Sequence, residues 1–312
     1  VGSEMCIRDR YIYREYSELD KKNIKFTYPG KYNYPERLMN IYDYPYIIYY
    51  KGSLPQSDVP SVAIVGARNC TEYGRSVAGR FAEDFADMGI QVISGMALGI
   101  DAAAQKGAVR KGGYSMAVLG CGVDICYPRT NIELYTQLES NGGIISEYSP
   151  GTPPKAGLFP MRNRIISAMS DALIVVEAKQ KSGSLITADQ ALEQGREVYA
   201  VPGRIGDRNS EGCNQLIRQG AMLVTDAADI IDELGLCKKE EIAQKKDMVC
   251  REQLDLPEQE IFACLGKDVV YIEDICSRVD QPPALVLSTL FDMEKKGYIR
   301  QPMRYYFTAV FS

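Results

Sequence analysis

The chain contains no histidine. That absence removes Ser-His-Asp triads, Cys-His dyads, imidazole acid–base catalysis and histidine-ligated metals together. Cysteine occurs nine times, an odd number, and no two form a C-x-x-C pair. The nearest two, Cys121 and Cys126, have no second pair to match them. Neither a zinc site nor a disulfide framework fits, so the thiols read as those of a reduced, cytoplasmic protein. No apolar run approaches the roughly 18–20 residues that span a bilayer, so no membrane segment is expected. The sequence also lacks G-x-x-x-x-G-K-[ST], which excludes a Walker-type nucleotide loop. It lacks G-x-G-x-x-G as well, because Arg68 stands where that fingerprint needs bare backbone. No cofactor and no metal is expected. Net charge is −5 and the pI is about 5.1. A surface coated in positive charge is excluded, but a local basic groove is not.

What is present is ordinary globular composition, 46% hydrophobic and 25% charged over 312 residues. That length allows one sizeable core and a small accessory domain. Residues 1–10, VGSEMCIRDR, fit no periodic pattern and resemble translated adapter sequence; they are set aside as a non-native leader. Residues 11–58 are Tyr-rich and Gly-poor. A helix over 11–25, then a turn, a short helix and an entry strand at Ile47–Tyr50, read as the remnant of an N-terminal helical module.

From Ser61 the pattern alternates. Strands are predicted at Val62–Val65, Gln91–Ser94, Ser115–Leu119, Gly143–Ser146, Ala172–Glu177, Glu197–Val201 and Ala221–Val224. Helical periodicity fills the gaps, at 73–88, 99–111, 130–141, 161–170, 184–195, 211–219 and 226–234. Helix-length crossovers between apolar strands imply a mostly parallel, doubly wound sheet over 59–234. Residues 235–256 are charged and read as a linker. Residues 257–312 offer three helices (258–265, 271–279, 283–296) and a terminal hairpin, which is winged-helix arithmetic. That domain holds six Lys+Arg against eight Asp+Glu. Its third helix places Leu285, Leu287, Leu290 and Phe291 at core spacing, with Ser288, Asp292 and Glu294 outside. Such a face repels phosphates, so the domain is not expected to read duplex DNA. Arg300 and Arg304 are its plausible DNA contacts.

Ligands on such sheets bind at the carboxyl ends of the strands. The loops there are unusual. "VGARN" supplies Gly66 and Arg68. "SGMALGID" supplies Ser94 and Gly95, either an amide nest for phosphate or a tight turn capped by Asp101. "LGCGVDICYPRTN" supplies Arg129, which a plain surface reading explains equally. A long Pro-rich loop brings Lys155 to "FPMRNR", with Phe159, Arg162, Asn163 and Arg164 on a helix. "EAKQKSGSLITA" begins a helix at Ser182, Gly183 and Ser184, beside Lys179 and Lys181. Residues 60–235 carry 16 Lys+Arg and 20 Asp+Glu. Cations or amide nests nevertheless recur in five loops on one sheet edge. A basic edge on an acidic domain is a track for several phosphates. Tyr127, Tyr148 and Phe159 are candidates to stack on bases.

In order, "VGAR", "ISGMALGID", "AVLGCGVDICYP", "ISEYSPGTPP", "FPMRNRIIS", "EAKQKSGSLITA" and "REVYAVPG" resemble the DNA-processing protein A family (DprA, or Smf), over residues 28 to about 234. The resemblance implies an extended Rossmann-like domain that binds single-stranded DNA. It implies a homodimer that loads the RecA recombinase during natural transformation. It also implies a truncated or missing N-terminal SAM-like domain and a C-terminal winged helix. The family's DNA-contacting cations fall on Arg68, Arg129, Lys155, Arg162 and Arg164. Two positions depart from the pattern: Gln105 stands where His is common, and Ala67 where Ser or Thr is usual. By resemblance more than pattern, self-association is expected near "EGCNQLIRQGAMLV". No catalytic residue is assigned. The alternative is a nucleotide-processing enzyme of the lysine-decarboxylase-like phosphoribohydrolase group, using Thr187, Asp189 and Glu193, although the Glu spacing does not match that motif. Glu147 and Glu177, at strand ends, have no evident acid–base partner.

Overall fold

The computed structural model of the chain describes residues 17–235, 256–265, 270–279, 282–295, 299–303 and 305–309. The chain divides between Leu236 and Cys237 into two compact units. The leader over 1–10 and nearly all of the expected linker lie outside the described residues. Among the described residues, no helix is long and apolar enough to cross a membrane.

The first unit is built on nine strands: β1 Lys25–Thr27, β2 Ile48–Gly52, β3 Ser61–Val65, β4 Gln91–Ser94, β5 Ser115–Val118, β6 Gly143–Ser146, β7 Ala172–Val175, β8 Glu197–Ala200 and β9 Met222–Leu223. Their order across the sheet is β1-β2-β6-β5-β4-β3-β7-β8-β9. The pairs from β6 to β9 are all parallel, while β2 runs antiparallel to both its neighbours. β3 through β7 are buried along their length, as strands covered on both faces must be. Strand order reverses between β3 and β7. This is the topological switch point, where an open parallel sheet leaves a crevice.

Helices α1 (Glu72–Asp87), α2 (Ile100–Arg110), α3 (Ile132–Asn141), α4 (Leu158–Ala168), α5 (Gly183–Glu193), α6 (Glu211–Arg218) and α7 (Ala227–Leu234) make the crossovers. α1 starts where Thr71 accepts from the Gly74 amide, and it buries Val77, Ala78, Phe81, Ala82 and Phe85 as one stripe. One core packs α4, α5 and α6 (Ile165, Ala188, Ala191, Cys213, Leu216) on Ala63, Val65, Leu173 and Val175. Another packs α2 and α3 (Ala102, Leu134, Leu138) on Ala117 and Ile144.

The N-terminal segment differs from expectation. The helix ends at Lys21. Asn23 adopts a left-handed φ of 51°, and the Ile24 amide returns to the Leu19 carbonyl at 2.9 Å, a cap that forces the chain out. Residues 25–27 then form β1. Both β1 and β2 belong to the main sheet, and Tyr34, Leu38 and Ile41 join its core. Residues 24–52 are therefore part of the sheet domain and not a separate remnant.

The second unit has helices α8 (Leu256–Leu265), α9 (Ile272–Arg278) and α10 (Pro283–Lys295) and strands β10 (Val270–Tyr271), β11 (Ile299–Met303) and β12 (Tyr306–Ala309). The strands form an antiparallel sheet, β10-β12-β11. The expected core face of α10 is corrected by one step of helical phase. Val286, Leu290 and Met293 point inward at i, i+4, i+7, onto Ile261, Ile275 and Phe307. Leu285, Leu287 and Phe291 are exposed instead, with Ser288 and Asp292. Arg304 lies outside the described residues.

Arg37, on the 3-10 turn Glu36–Asn40, fastens the N-terminal segment to the sheet. Its guanidinium meets Asp171 Oδ2 at 3.1 Å, the Val59 carbonyl at 3.2 Å, the Met169 carbonyl at 3.3 Å and the Ser61 hydroxyl. Arg37→Ala is expected to lower stability by about 1–3 kcal/mol in chemical denaturation, because half-buried acceptors lose a charged donor. No loss would mean that this segment is not integral to the domain.

Candidate functional site

At the carboxyl edge of the sheet, a cleft of about 600 Å³ opens at the switch point. The loop after β3 lines it with Gly66, Arg68 and Asn69, and the loop after β7 with Lys179, Lys181 and Ser182. α4 contributes Phe159, Arg162, Asn163 and Ile166, at i, i+3, i+4 and i+7 of one face. α5 turns its amino end, Gly183 and Ser184, into the same space. Ser182 caps that end by accepting from the Ser184 amide, and the two hydroxyls are 2.7 Å apart. The remaining first-turn amides and the helix dipole favour an anion there.

One wall is aromatic. Phe159 stacks on Tyr127 at 5.6 Å between centroids, and the Arg68 guanidinium lies over the Phe159 ring at 5.1 Å. Gly66 is needed behind this wall: a Cβ there would meet the Ile100 side chain at 2.7 Å.

Arg162 forms the floor and is buried. It donates through Nη1 to the carbonyls of Gly95, at 2.9 Å, and Val118, and through Nε to Asn163 Oδ1 at 3.2 Å. A Cβ on Gly95 would lie 2.6–2.7 Å from its terminal nitrogens and 2.7 Å from Asp101 Oδ2. Burial lowers Arg162 to about 10, with Asp101 opposing and Arg68 adding to the fall; it remains cationic at neutral pH. Burial likewise pushes the Asp101 carboxyl upward against the pull of Arg162.

Several expected site residues lie elsewhere. Ser94 is fully buried and its hydroxyl donates to the Ile64 carbonyl at 2.6 Å. The Gly95 amide is taken by Asp101 at 3.2 Å. The anion in that nest is thus the protein's own carboxylate, and the tight-turn reading of "SGMALGID" holds. Arg164 does not line the cleft. It grips both oxygens of Glu147 at 2.8 Å each, and Asp43 Oδ2 at 2.8 Å. Burial opposes its charge, but the two carboxylates outweigh that and raise its pKa. Tyr148 is half-buried, aims its hydroxyl at the Leu158 carbonyl and is not in the cleft. Arg129 and Lys155 are exposed beside cleft residues Tyr127, Pro154 and Ala156 but do not themselves line it. The enzymatic trio is not assembled. Thr187 donates to the Gly183 carbonyl, and Asp189 and Glu193 are off the cleft.

Two features go beyond the sequence reading. Glu177, noted there only as a strand-end carboxylate without an acid–base partner, is buried and accepts from the Thr71 amide at 2.9 Å, the Thr71 hydroxyl and Asn209 Nδ2 at 3.1 Å. It clamps the Arg68 loop to the loop after β8. A carboxylate ending a wholly apolar strand was the available signal. The loop after β8 also brings exposed Arg204 and Arg208 to this edge.

The family model described as DNA recombination-mediator protein A matches residues 25–235. The chain belongs to that family. The match begins at the first residue of β1, in keeping with a sheet that includes β1 and β2. The chain is 40% identical over 271 residues to Protein Smf of Escherichia coli (strain K12), covering 85% of this chain and 72% of that protein. It is 40% identical over 227 residues to DNA processing protein DprA of Streptococcus pneumoniae, covering 72% and 80%. Among solved structures, DprA from S. pneumoniae superposes with a TM-score of 0.66 at 39% identity, over 72% of this chain and 80% of that one. DNA processing protein A from Helicobacter pylori, described for its unique single-stranded DNA binding mode, superposes with a TM-score of 0.62 at 31% identity, over 68% and 97%.

Arg164→Ala is expected to cost about 2–3 kcal/mol, since Glu147 loses its partner while Asp43 stays hydrated. Gly95→Ala is expected to cost about 1–3 kcal/mol by driving Arg162 off its carbonyls. Denaturant titration measures both. An unchanged midpoint for either would contradict the contacts described.

Proposed function

We propose that the cleft holds single-stranded DNA and that the protein is a recombination mediator, acting in the cytoplasm without turnover. The strand's phosphates meet Arg68, Lys179, Lys181 and the Gly183 amide at the amino end of α5. Arg129 and Lys155 extend the cationic path, and a base lies against the Phe159–Tyr127 wall. Arg162 supports the floor, and Arg164 serves the scaffold. The carrying observation is the combination itself: exposed cations, an open helix amino end and an aromatic wall around one cleft at the switch point. The named binding mode of the H. pylori relative supports the same reading. The bound strand is then available to the RecA recombinase.

The deciding experiment is a gel shift with poly-dT and with duplex, at two salt concentrations. Arg68→Ala is expected to weaken single-strand binding evenly across sequences, because phosphate contacts position without reading bases. The slope of log K against log salt should flatten by about 0.7 for that lost contact. Wild-type binding by Arg68→Ala would overturn the placement of the strand. Release of ribose from AMP would favour the nucleotide-processing alternative.

A homodimer is proposed through the β9 end of the sheet, near residues 211–224. Among the described residues β9 ends the sheet with one edge unpaired, and Leu223 is exposed there, whereas Leu216 belongs to the core. Light scattering at tens of micromolar is expected to give twice the chain mass; a monomer would refute it.

A further inference from the structure

Residues 41–47, Ile-Tyr-Asp-Tyr-Pro-Tyr-Ile, place a tyrosine at every second position. Tyr42 is fully exposed, Tyr46 is 76% exposed and Tyr44 is 39% exposed. The loop's foot is fixed. Ile41 is buried, and the buried Tyr34 donates its hydroxyl to the Pro45 carbonyl at 2.6 Å. Arg164 holds Asp43 by its carboxylate at 2.8 Å and its carbonyl at 3.2 Å. Above that foot, neither the Tyr42 nor the Tyr46 hydroxyl has a hydrogen-bond partner among the described residues. An anchored backbone that turns several aromatic rings to water presents a surface suited to being covered.

Its position identifies the cover. β2 is antiparallel to β6, with Tyr49 opposite Ser146. Residues just before β2 therefore stand at the carboxyl end of β6, on the edge where the cleft opens. α4 joins the two features. One face gives Phe159, Arg162 and Asn163 to the cleft, while Arg164 reaches Asp43 from the same helix. A strand leaving the cleft across α4 arrives at the tyrosine loop. The carboxylates at its foot, Asp43 and Glu147, are both engaged by Arg164, and Lys155 is exposed on the loop joining β6 to α4. Every base has a flat π-face, so rings offered in this way suit a strand of any sequence.

We infer that Tyr42, Tyr44 and Tyr46 form a stacking platform for the bases of the strand that emerges from the cleft. This rests on the single-strand reading of the cleft. The platform lengthens the site, so it acts on long strands and not on short ones.

The test compares the chain with its Tyr42→Ala/Tyr46→Ala variant, on oligo-dT of about twenty and about five nucleotides, one beyond and one near the lower end of the usual site sizes of about 4–16. The variant is expected to bind the longer oligomer about tenfold more weakly, roughly the loss of one stacked base. It should bind the shorter one as wild type does. Tyr42→Phe/Tyr46→Phe should restore the longer binding, because stacking needs the ring and not the hydroxyl. The chain has no tryptophan, so tyrosine emission is unmasked, and its quenching by the longer oligomer should shrink in the Ala variant. Unchanged affinity for the longer oligomer in the Ala variant would overturn the platform and leave the rings to a protein partner. Failure of the cleft reading looks different: the short oligomer would then be indifferent to Arg68→Ala.

Discussion

The cleft is organised by one buried cation. Arg162 lies under the ends of β4 and β5, bonded to the Gly95 and Val118 carbonyls, and together with Asp101 it leaves no room for a side chain on Gly95. Among the described residues no carboxylate makes an ion pair with this guanidinium, so burying it is expensive and its pKa falls. Two carbonyl acceptors and the nearby Asp101 make the burial tolerable. Asp101 is in turn fixed by the Gly95 amide. Helix, strand end and α2 amino terminus are thus coupled through a few polar atoms. The aromatic wall and the α5 amino end stand around that fixed floor.

Much of this was legible in the residues. Strand runs such as "SVAIV" and "ALIV" lack polar alternation because both sheet faces are covered, and each was located within a residue or two. The parallel sheet followed from strand–helix alternation, whereas the switch point between β3 and β7 is seen only in the strand order. The cleft's position followed from the rule for parallel sheets. Arg68, Phe159, Arg162, Asn163 and the Ser182–Ser184 turn come together there as that rule requires.

What was not legible depends on side-chain direction. Arg162 and Arg164 are two residues apart on α4, and a helix turns them about 200° from one another. One faces the cleft and the other faces Glu147 and Asp43. A sequence shows two equal cations, and only the partner's position, 121 residues away in the case of Asp43, separates them. Ser94 was misread for a similar reason. Its hydroxyl lies within reach of a neighbouring strand's carbonyl, and the amide beside it was already claimed by an acid six residues on. The phase of α10 is a third case. Leu285, Leu287, Leu290 and Phe291 admit two registers, and the one that buries Val286 and Met293 prevails.

The charge pattern gains meaning once pairing is known. Cations away from the cleft are often neutralised locally: Arg37 by Asp171, Lys51 by Glu139, Arg110 by Glu83, Lys111 by Asp87. Arg68, Arg129, Lys155, Lys179 and Lys181 are all exposed, and among the described residues none makes an ion pair. Solubility does not call for this, because an acidic domain is already charged. Unpaired like charges on one edge repel one another, and that repulsion is relieved when a polyanion lies along them. The acidic remainder of the domain then has a role of its own. It opposes anions on the rest of the domain's surface, so on the proposed reading the field would favour a strand at the edge where Arg162 fixes the floor.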